Sequence, residues 1–337
     1  MRRVGTLGTR AGSGGQGAMT LATAPRRTDA FEHEALFYAG TDDFVARTVP
    51  FVREGLAGGE EVLVVVPQPR LRALQDGLGD DGERVTFADM AAVGTNPARI
   101  IPAWWDFLAG NGGGRRPVRG IGEPIWAGRT PAELVECQRH ESLLNVAFAG
   151  TGRWRLLCPY DVDALDRPVI EEARRSHPFL SAGRHRARSP VVRDLDVMAL
   201  PFDVPLPDPP ADAEGVPFGF GDLAGVRDLA ARCGRAAGID GLRLDDFVLS
   251  VHEAATNSVR HAGGHGVLRA WQDGGAAVCE VADAGHIAQP LVGRERPPLD
   301  RPGGRGVWLA NQLCDLVQIR TFPTGNVVRL HMRSGDA

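Results

Sequence analysis

Between Leu244 and Ala262 the chain carries two stripes at once. Leu244, Phe247, Val248, Val251, Ala255 and Val259 recur at helical spacing, while Glu253, Asn257 and His261 recur every four residues on a separate face. Positions i, i+4 and i+8 stack along one side of a helix. Such a segment folds as an amphipathic helix, with its apolar side in a core and a carboxylate and an amide on the other side. Those two groups are what a hydrated Mg²⁺ and a water nucleophile need. Asp283-Ala284-Gly285 follows, and then the glycine run Gly303-Gly304-Arg305-Gly306. Glycines ahead of a helix present backbone N–H groups to phosphate. Alone, the polar stripe is also what a solvated face looks like, and the two glycine motifs are common in turns and loops. In this order, with strands and helices in agreement around them, they read as a nucleotide site.

The chain has 337 residues, enough for two domains with cores of their own. A net charge of −4 gives no general basic field, which tells against direct nucleic-acid binding. Arg115-Arg116 and the 184–188 stretch read as solvated charge. Cys137, Cys158, Cys233, Cys279 and Cys314 form no CxxC pair. That tells against a zinc site or a disulfide framework and suits a reducing cytoplasm. No apolar run approaches the roughly 20 residues of a membrane span. Residues 1–28 are rich in Gly, Ser and Arg without an apolar signal core, and read as a disordered tail.

Residues 29–182 alternate strand and helix signals. EALFYA is a short strand, and the glycine-ended DDFVARTVPFVREGLAG is an amphipathic helix. EEVLVVVP is apolar throughout, as strands buried on both faces of a parallel sheet are. Helices are expected over 70–78, 98–109, 131–149 and 167–176, with strands over 84–87, 118–121 and 154–158 between them. This repetition predicts a doubly wound α/β domain. Residues 183–217 are dense in proline and read as a linker with one edge strand near its middle. Residues 218–334 begin with two helices, over 223–237 and 244–261. Two hairpins follow, turning at Gln272-Asp273-Gly274-Gly275 and Pro323-Thr324-Gly325, with a helix over 307–313 between them. Helices on one face of a largely antiparallel sheet predict an α+β two-layer sandwich.

The C-terminal residues resemble the Bergerat-fold ATPase superfamily of gyrase, heat-shock chaperones and histidine kinases. The ExxxNxxxHA form, the short domain and the two-helix start are most similar to the bacterial anti-sigma-factor serine kinases, over about residues 218–333. The resemblance implies ATP and Mg²⁺ as cofactors. It implies Glu253 as general base, Asn257 as the Mg²⁺ ligand, and Asp283 as acceptor for the adenine amino group. Gly285 would let the backbone approach the base, and Gly304 and Gly306 would form the phosphate turn. Residues 286–302 would be the lid. Arg305, Trp308 and the prolines of the lid depart from the family pattern, and they bear on the rate of catalysis more than on binding; Arg305 either adds a phosphate contact or points to water. His261 reads as structural rather than as a phosphoacceptor.

The N-terminal half has no GxxxxGK[ST] loop. It resembles the MEDS sensory family of bacterial regulators through His33 with Phe37-Tyr38, FVREGLAGGEEVLVVVP, GEPIW, LLCPYD and SHPFL. That resemblance implies a RecA-like sheet without the ATP loop and leaves the ligand or partner unspecified. The sensing candidates are His33, Glu123, Trp126, Cys158, Tyr160 and His177, several at strand ends where α/β sheets bind ligands. The first functional reading is a cytoplasmic, sensor-coupled serine kinase acting on an anti-sigma-factor antagonist protein, with a sigma factor as a second partner. The alternative is a nucleotide-gated binding module without phosphotransfer. An atypical histidine kinase is the weaker third, because the proline-rich 183–217 segment cannot form a helical phosphoacceptor hairpin. A homodimer is left open.

Overall fold

The computed structural model describes residues 31–111, 116–182, 185–297 and 304–335. The tail expected over 1–28, Arg115, Arg184, Gly303 and the 298–302 part of the lid lie outside the described residues.

The N-terminal half runs β1 (Glu32–Tyr38), α1 (Gly40–Ala57), β2 (Glu61–Val66), α2 (Gln68–Leu78), β3 (Thr86–Asp89), α3 (Met90–Val93), α4 (Ile100–Gly110), β4 (Val118–Gly122), α5 (Pro131–Ala147), β5 (Trp154–Asp161), α6 (Arg167–Ser176), β6 (Phe179–Ala182) and β7 (His185–Arg188). The sheet order is β3-β2-β4-β5-β1-β6-β7. Every pairing is parallel except the β6–β7 edge. Alternation along the strands explains the helices on both faces. Ala35, Phe37, Leu63 and Val65 face a core with Trp104, Leu143, Leu144 and Phe148. Their neighbours Leu36, Tyr38, Val62, Val64 and Val66 face another core with Phe44, Val52, Leu56 and Leu74. This is the doubly wound sheet expected.

The C-terminal half runs β8 (Glu214–Gly219), α7 (Leu223–Ala236), α8 (Gly241–His261), β9 (His265–Asp273), β10 (Ala276–Asp283), α9 (Arg305–Leu313), β11 (Leu316–Phe322) and β12 (Gly325–Arg333). Its antiparallel sheet has the order β11-β12-β10-β9-β8. Val226 and Leu229 of α7 and Phe247, Val251 and Ala255 of α8 pack on Leu268, Ala277, Cys279, Leu330 and Met332 of the sheet. Both expected hairpins form. Gly274 and Gly275 both take positive φ, +54° and +81°, the requirement of a tight two-residue turn. At Gly325 a Cβ would lie 2.1 Å from the Asp283 carbonyl oxygen, so only glycine lets β12 begin there.

The 183–217 stretch differs from the sequence reading. Its strands lie at its two ends, not at its middle. His185–Arg188 extends the first sheet, and Glu214–Gly219 is the edge of the second. The prolines between them suit neither ladder, and Pro217 is tolerated because β8 is an edge strand.

Helix α5 joins the halves. A capping box, Thr130 with Glu133, starts it. It is buried on every side, since all seven residues from Arg139 to Asn145 are buried. Glu136 pairs with Arg320 at 2.8 Å and Arg294 at 3.4 Å, and none of the three is more than 6% exposed. Arg139 donates to the Ile319 carbonyl at 2.6 Å, and Asn96 to the Asn311 carbonyl at 3.1 Å. Glu136→Ala leaves two guanidinium groups buried without their carboxylate. We expect a loss of about 3–5 kcal/mol in urea denaturation. Unchanged stability would mean that this contact is not made in solution.

Candidate functional site

The site begins with how α9 meets α8. The apolar residues Leu244, Phe247, Val251 and Ala255 are buried, and Val248 and Val259 pack partly buried on the same core. This turns Glu253 and Asn257 to the opposite side, half-buried. The first turn of α9 lies against them. A Cβ on Gly306 would fall 2.7 Å from Glu253 Oε2 and 3.1 Å from Asn257 Nδ2. A side chain here would push the Glu253 carboxylate aside, so glycine keeps this approach open. Gly304 caps α9 in the left-handed region, at φ +76°, and no side chain caps the helix there. The leading N–H groups of α9 and its positive dipole end thus lie beside the carboxylate and amide of α8. Helix α9 starts at Arg305, two residues earlier than expected, because Gly304 supplies this cap. Arg305 is exposed on that first turn, and His261 is exposed at the end of α8.

Asp283 ends β10, and three donors orient it. Its Oδ2 accepts from Ser258 Oγ at 2.6 Å, and its Oδ1 from the Gly285 N–H at 2.8 Å and Asn326 Nδ2 at 3.2 Å. A Cβ on Gly285 would stand 2.7 Å from Ala262 Cβ and 2.9 Å from Asn326 Nδ2. Ser258 follows Asn257 directly, so α8 touches both parts of the site. Glu253, Asn257, Gly304, Arg305 and Gly306 gather at one end, and Asp283 with Gly285 at the other. Sequence reasoning missed Ser258 and Asn326. A buried serine inside an otherwise apolar stripe was the available signal for the first; the second depends on a strand pairing that only the fold reveals. The described part of the lid is held at both ends. The Ile287 N–H donates to Thr321 Oγ1 at 3.1 Å, and the Gly293 carbonyl accepts from Asn311 at 2.9 Å.

The N-terminal candidates fall into two groups, with Trp126 apart from both. Trp126 is half-buried beneath the guanidinium of Arg129, 3.8 Å from its ring centre. The first group sits just past the carboxyl end of β4. Fully buried Glu123 accepts from Tyr38 Oη at 2.7 Å and faces Arg70 at 3.3 Å, which also reaches Asp161 at 3.1 Å. The second group is internal. His33, Cys158 and His177 meet around Glu141, which sequence reasoning missed because α5 shows no apolar stripe against which a polar residue would stand out. Tyr160 is buried edge-on to the His177 ring, 5.6 Å between centres. His177 also closes α6, its Nδ1 lying 2.8 Å from the Ala173 carbonyl.

Burial pushes the Glu123 carboxyl up to about 8, against the opposing pull of Arg70. Its folded value lies above its unfolded one. The stability it contributes is therefore complete below the unfolded value and is lost as pH rises through about 8. Glu123→Gln keeps a neutral hydrogen-bonding group, so we expect it to flatten the fall in Tm between about pH 5 and about pH 9. An unaltered slope would show that Glu123 does not titrate in that window.

Residues 32–178 match the family described as MEDS, the MEthanogen/methylotroph, DcmR Sensory domain. Residues 219–332 match the histidine kinase-like ATPase domain family, which implies ATP binding in this half. No curated protein matches the chain. A solved structure of the RsbU and RsbW domains of a Mycobacterium tuberculosis protein is similar over 36% of this chain and 32% of that one, at 18% identity and a TM-score of 0.27. The chain thus spans about a third of that structure's length. Among the described residues no helix is long and apolar enough to cross a membrane. One region of the chain thus matches the MEDS sensory domain family and another the histidine kinase-like ATPase domain family.

Proposed function

We propose that this chain is a cytoplasmic, sensor-coupled regulator that binds Mg-ATP and phosphorylates a serine of an anti-sigma-factor antagonist protein, with a sigma factor as a further partner. The observation that carries this reading is the seating of Gly306 on Glu253 and Asn257, which brings a carboxylate, an amide and a helix start that no described side chain caps together. Hard oxygen ligands and backbone N–H groups suit a magnesium phosphate. Asn257 would hold Mg²⁺ through its side-chain oxygen, and the ion would neutralise phosphate charge. Gly304, Arg305 and Gly306 would receive the phosphates. Asp283 would accept from the adenine amino group, already oriented by Ser258 and Asn326, while Gly285 leaves room for the base. Glu253 would take the proton of the attacking serine hydroxyl as the γ-phosphoryl group passes to that oxygen and ADP leaves.

A second reading, a nucleotide-gated binding module without phosphotransfer, is favoured by one feature. Arg294 of the lid segment is tied to Glu136 of the sensory half. A lid held this way suits a domain whose output is a change of contacts between the halves.

Asn257→Ala is expected to weaken or abolish Mg-ATP binding in calorimetry while the fold persists, because Asn257 faces away from the apolar core. Unchanged affinity in a folded variant would remove it from the site. Asp283 accepts from adenine but repels the guanine carbonyl. ATP should therefore bind at least about tenfold more tightly than GTP, about 1.4 kcal/mol. Equal affinities would place the base elsewhere. Glu253→Gln keeps shape and hydrogen-bonding reach but not basicity. It should hold Mg-ATP within a few fold yet lose about 10²–10⁴-fold in single-turnover phosphotransfer. Equal transfer by both proteins would exclude Glu253 as the base. ATP binding with no transfer to any antagonist would favour the binding module.

A further inference from the structure

We propose that His33, Glu141, Cys158 and His177 form a closed four-ligand site for one transition-metal dication of the zinc class. Four separate elements supply it: β1, α5, β5 and the end of α6. Their ligand atoms lie within 4.8 Å of one another, and all four residues are buried. His33 Nε2 is 3.1 Å from Glu141 Oε2 and 3.3 Å from Cys158 Sγ, and His177 Nε2 is 3.1 Å from the same Glu141 oxygen. A tetrahedron with zinc's usual bond lengths has edges of about 3.3 Å between N and O ligands and about 3.5 Å to sulfur.

Proton accounting strengthens the geometry. Asn145 Nδ2 donates to the Ser176 carbonyl at 2.7 Å, so its Oδ1 faces His33 Nδ1, 3.2 Å away. That oxygen can only accept, so His33 carries a proton on Nδ1. His177 Nδ1 faces the Ala173 carbonyl at 2.8 Å and the Ser176 hydroxyl at 3.0 Å; the hydroxyl has the Glu172 and Ala173 carbonyls to donate to, and the Ala173 carbonyl can only accept, so Nδ1 likewise carries a proton. Each neutral imidazole therefore aims its Nε2 lone pair inward, at a carboxylate. His177 Nε2 and Glu141 Oε1 make no hydrogen bond, although both atoms are fully buried. Protonating both rings would also relieve the clash. That would place two cations beside each other in a dry interior, with ring centres 3.9 Å apart. A dication relieves the clash differently. With a Cys158 thiolate, a Glu141 carboxylate and two neutral imidazoles, the site has no net charge. Binding forms the metal–sulfur bond and releases the thiol proton to solvent. Asn145 and the Ala173 carbonyl hold the two rings by their outer nitrogens, the support that metal-binding histidines require. The absence of a CxxC pair told against zinc only because it tests ligands that are neighbours in sequence.

The full chain, stripped with a chelator and titrated with Co²⁺ as a spectroscopic stand-in for Zn²⁺, tests this. One equivalent should bind, with the visible bands of a four-coordinate ion and a near-ultraviolet thiolate charge-transfer band, and Zn²⁺ should bleach both. Cys158→Ser should lose the charge-transfer band. Glu141→Gln should keep it and bind Co²⁺ at least about tenfold more weakly. Failure of the folded wild-type chain to take up one equivalent would overturn the proposal. So would a six-coordinate spectrum without thiolate character, or a band that survives Cys158→Ser. The wild-type titration needs no variant to fold.

Discussion

A helix buried on every side can carry charge only where each charge meets a partner, and α5 is such a helix. Its carboxylates are spaced so that successive turns look in different directions. Glu136 looks into the ATPase half, where it meets Arg320 and Arg294. Glu141, just over one turn later, looks into the sensory half, where it meets His33 and His177. Arg139 between them satisfies the Ile319 carbonyl. One element therefore touches both the internal histidine cluster and, at Arg294, the lid segment. A change in the position of Glu141 would be carried to Glu136 by the helix itself, with no intervening loop to absorb it.

The candidate nucleotide face depends on a different constraint, close approach. Gly306, Gly285 and Gly325 each occupy a place where a Cβ would strike a neighbouring atom at 2.7 Å or less. Glycine at these points brings α9, the end of β10 and the start of β12 together. The residues that would do chemistry, Glu253, Asn257 and Asp283, are held by packing of backbone and not by long side-chain bridges.

Much of this was legible in the sequence. Period-2 and period-3.6 patterns located the sheets and the two stripes of α8, because burial on one face leaves a regular trace. Gly274-Gly275 and Pro323-Thr324-Gly325 announced their turns through backbone requirements. Other features left no such trace. Glu141 lies in a helix with no polar side to contrast with an apolar one. Ser258 and Asn326 matter only through their contact with Asp283, which depends on how β12 pairs with β10. The strands at the ends of the proline-rich segment form because each finds an edge to extend, a property of the assembled sheets and not of the local residues.

The central claim is that nucleotide binds on α8 and α9 and not at the strand ends of the sensory sheet. Hydrogen–deuterium exchange of the full chain with and without Mg-ADP tests it most directly. The account predicts new protection over 253–261, 283–287 and 304–309, with β1, β4 and β5 unchanged. Protection centred on the ends of those three strands, around Tyr38, Glu123 and Asp161, with α8 and α9 unaffected, would contradict it.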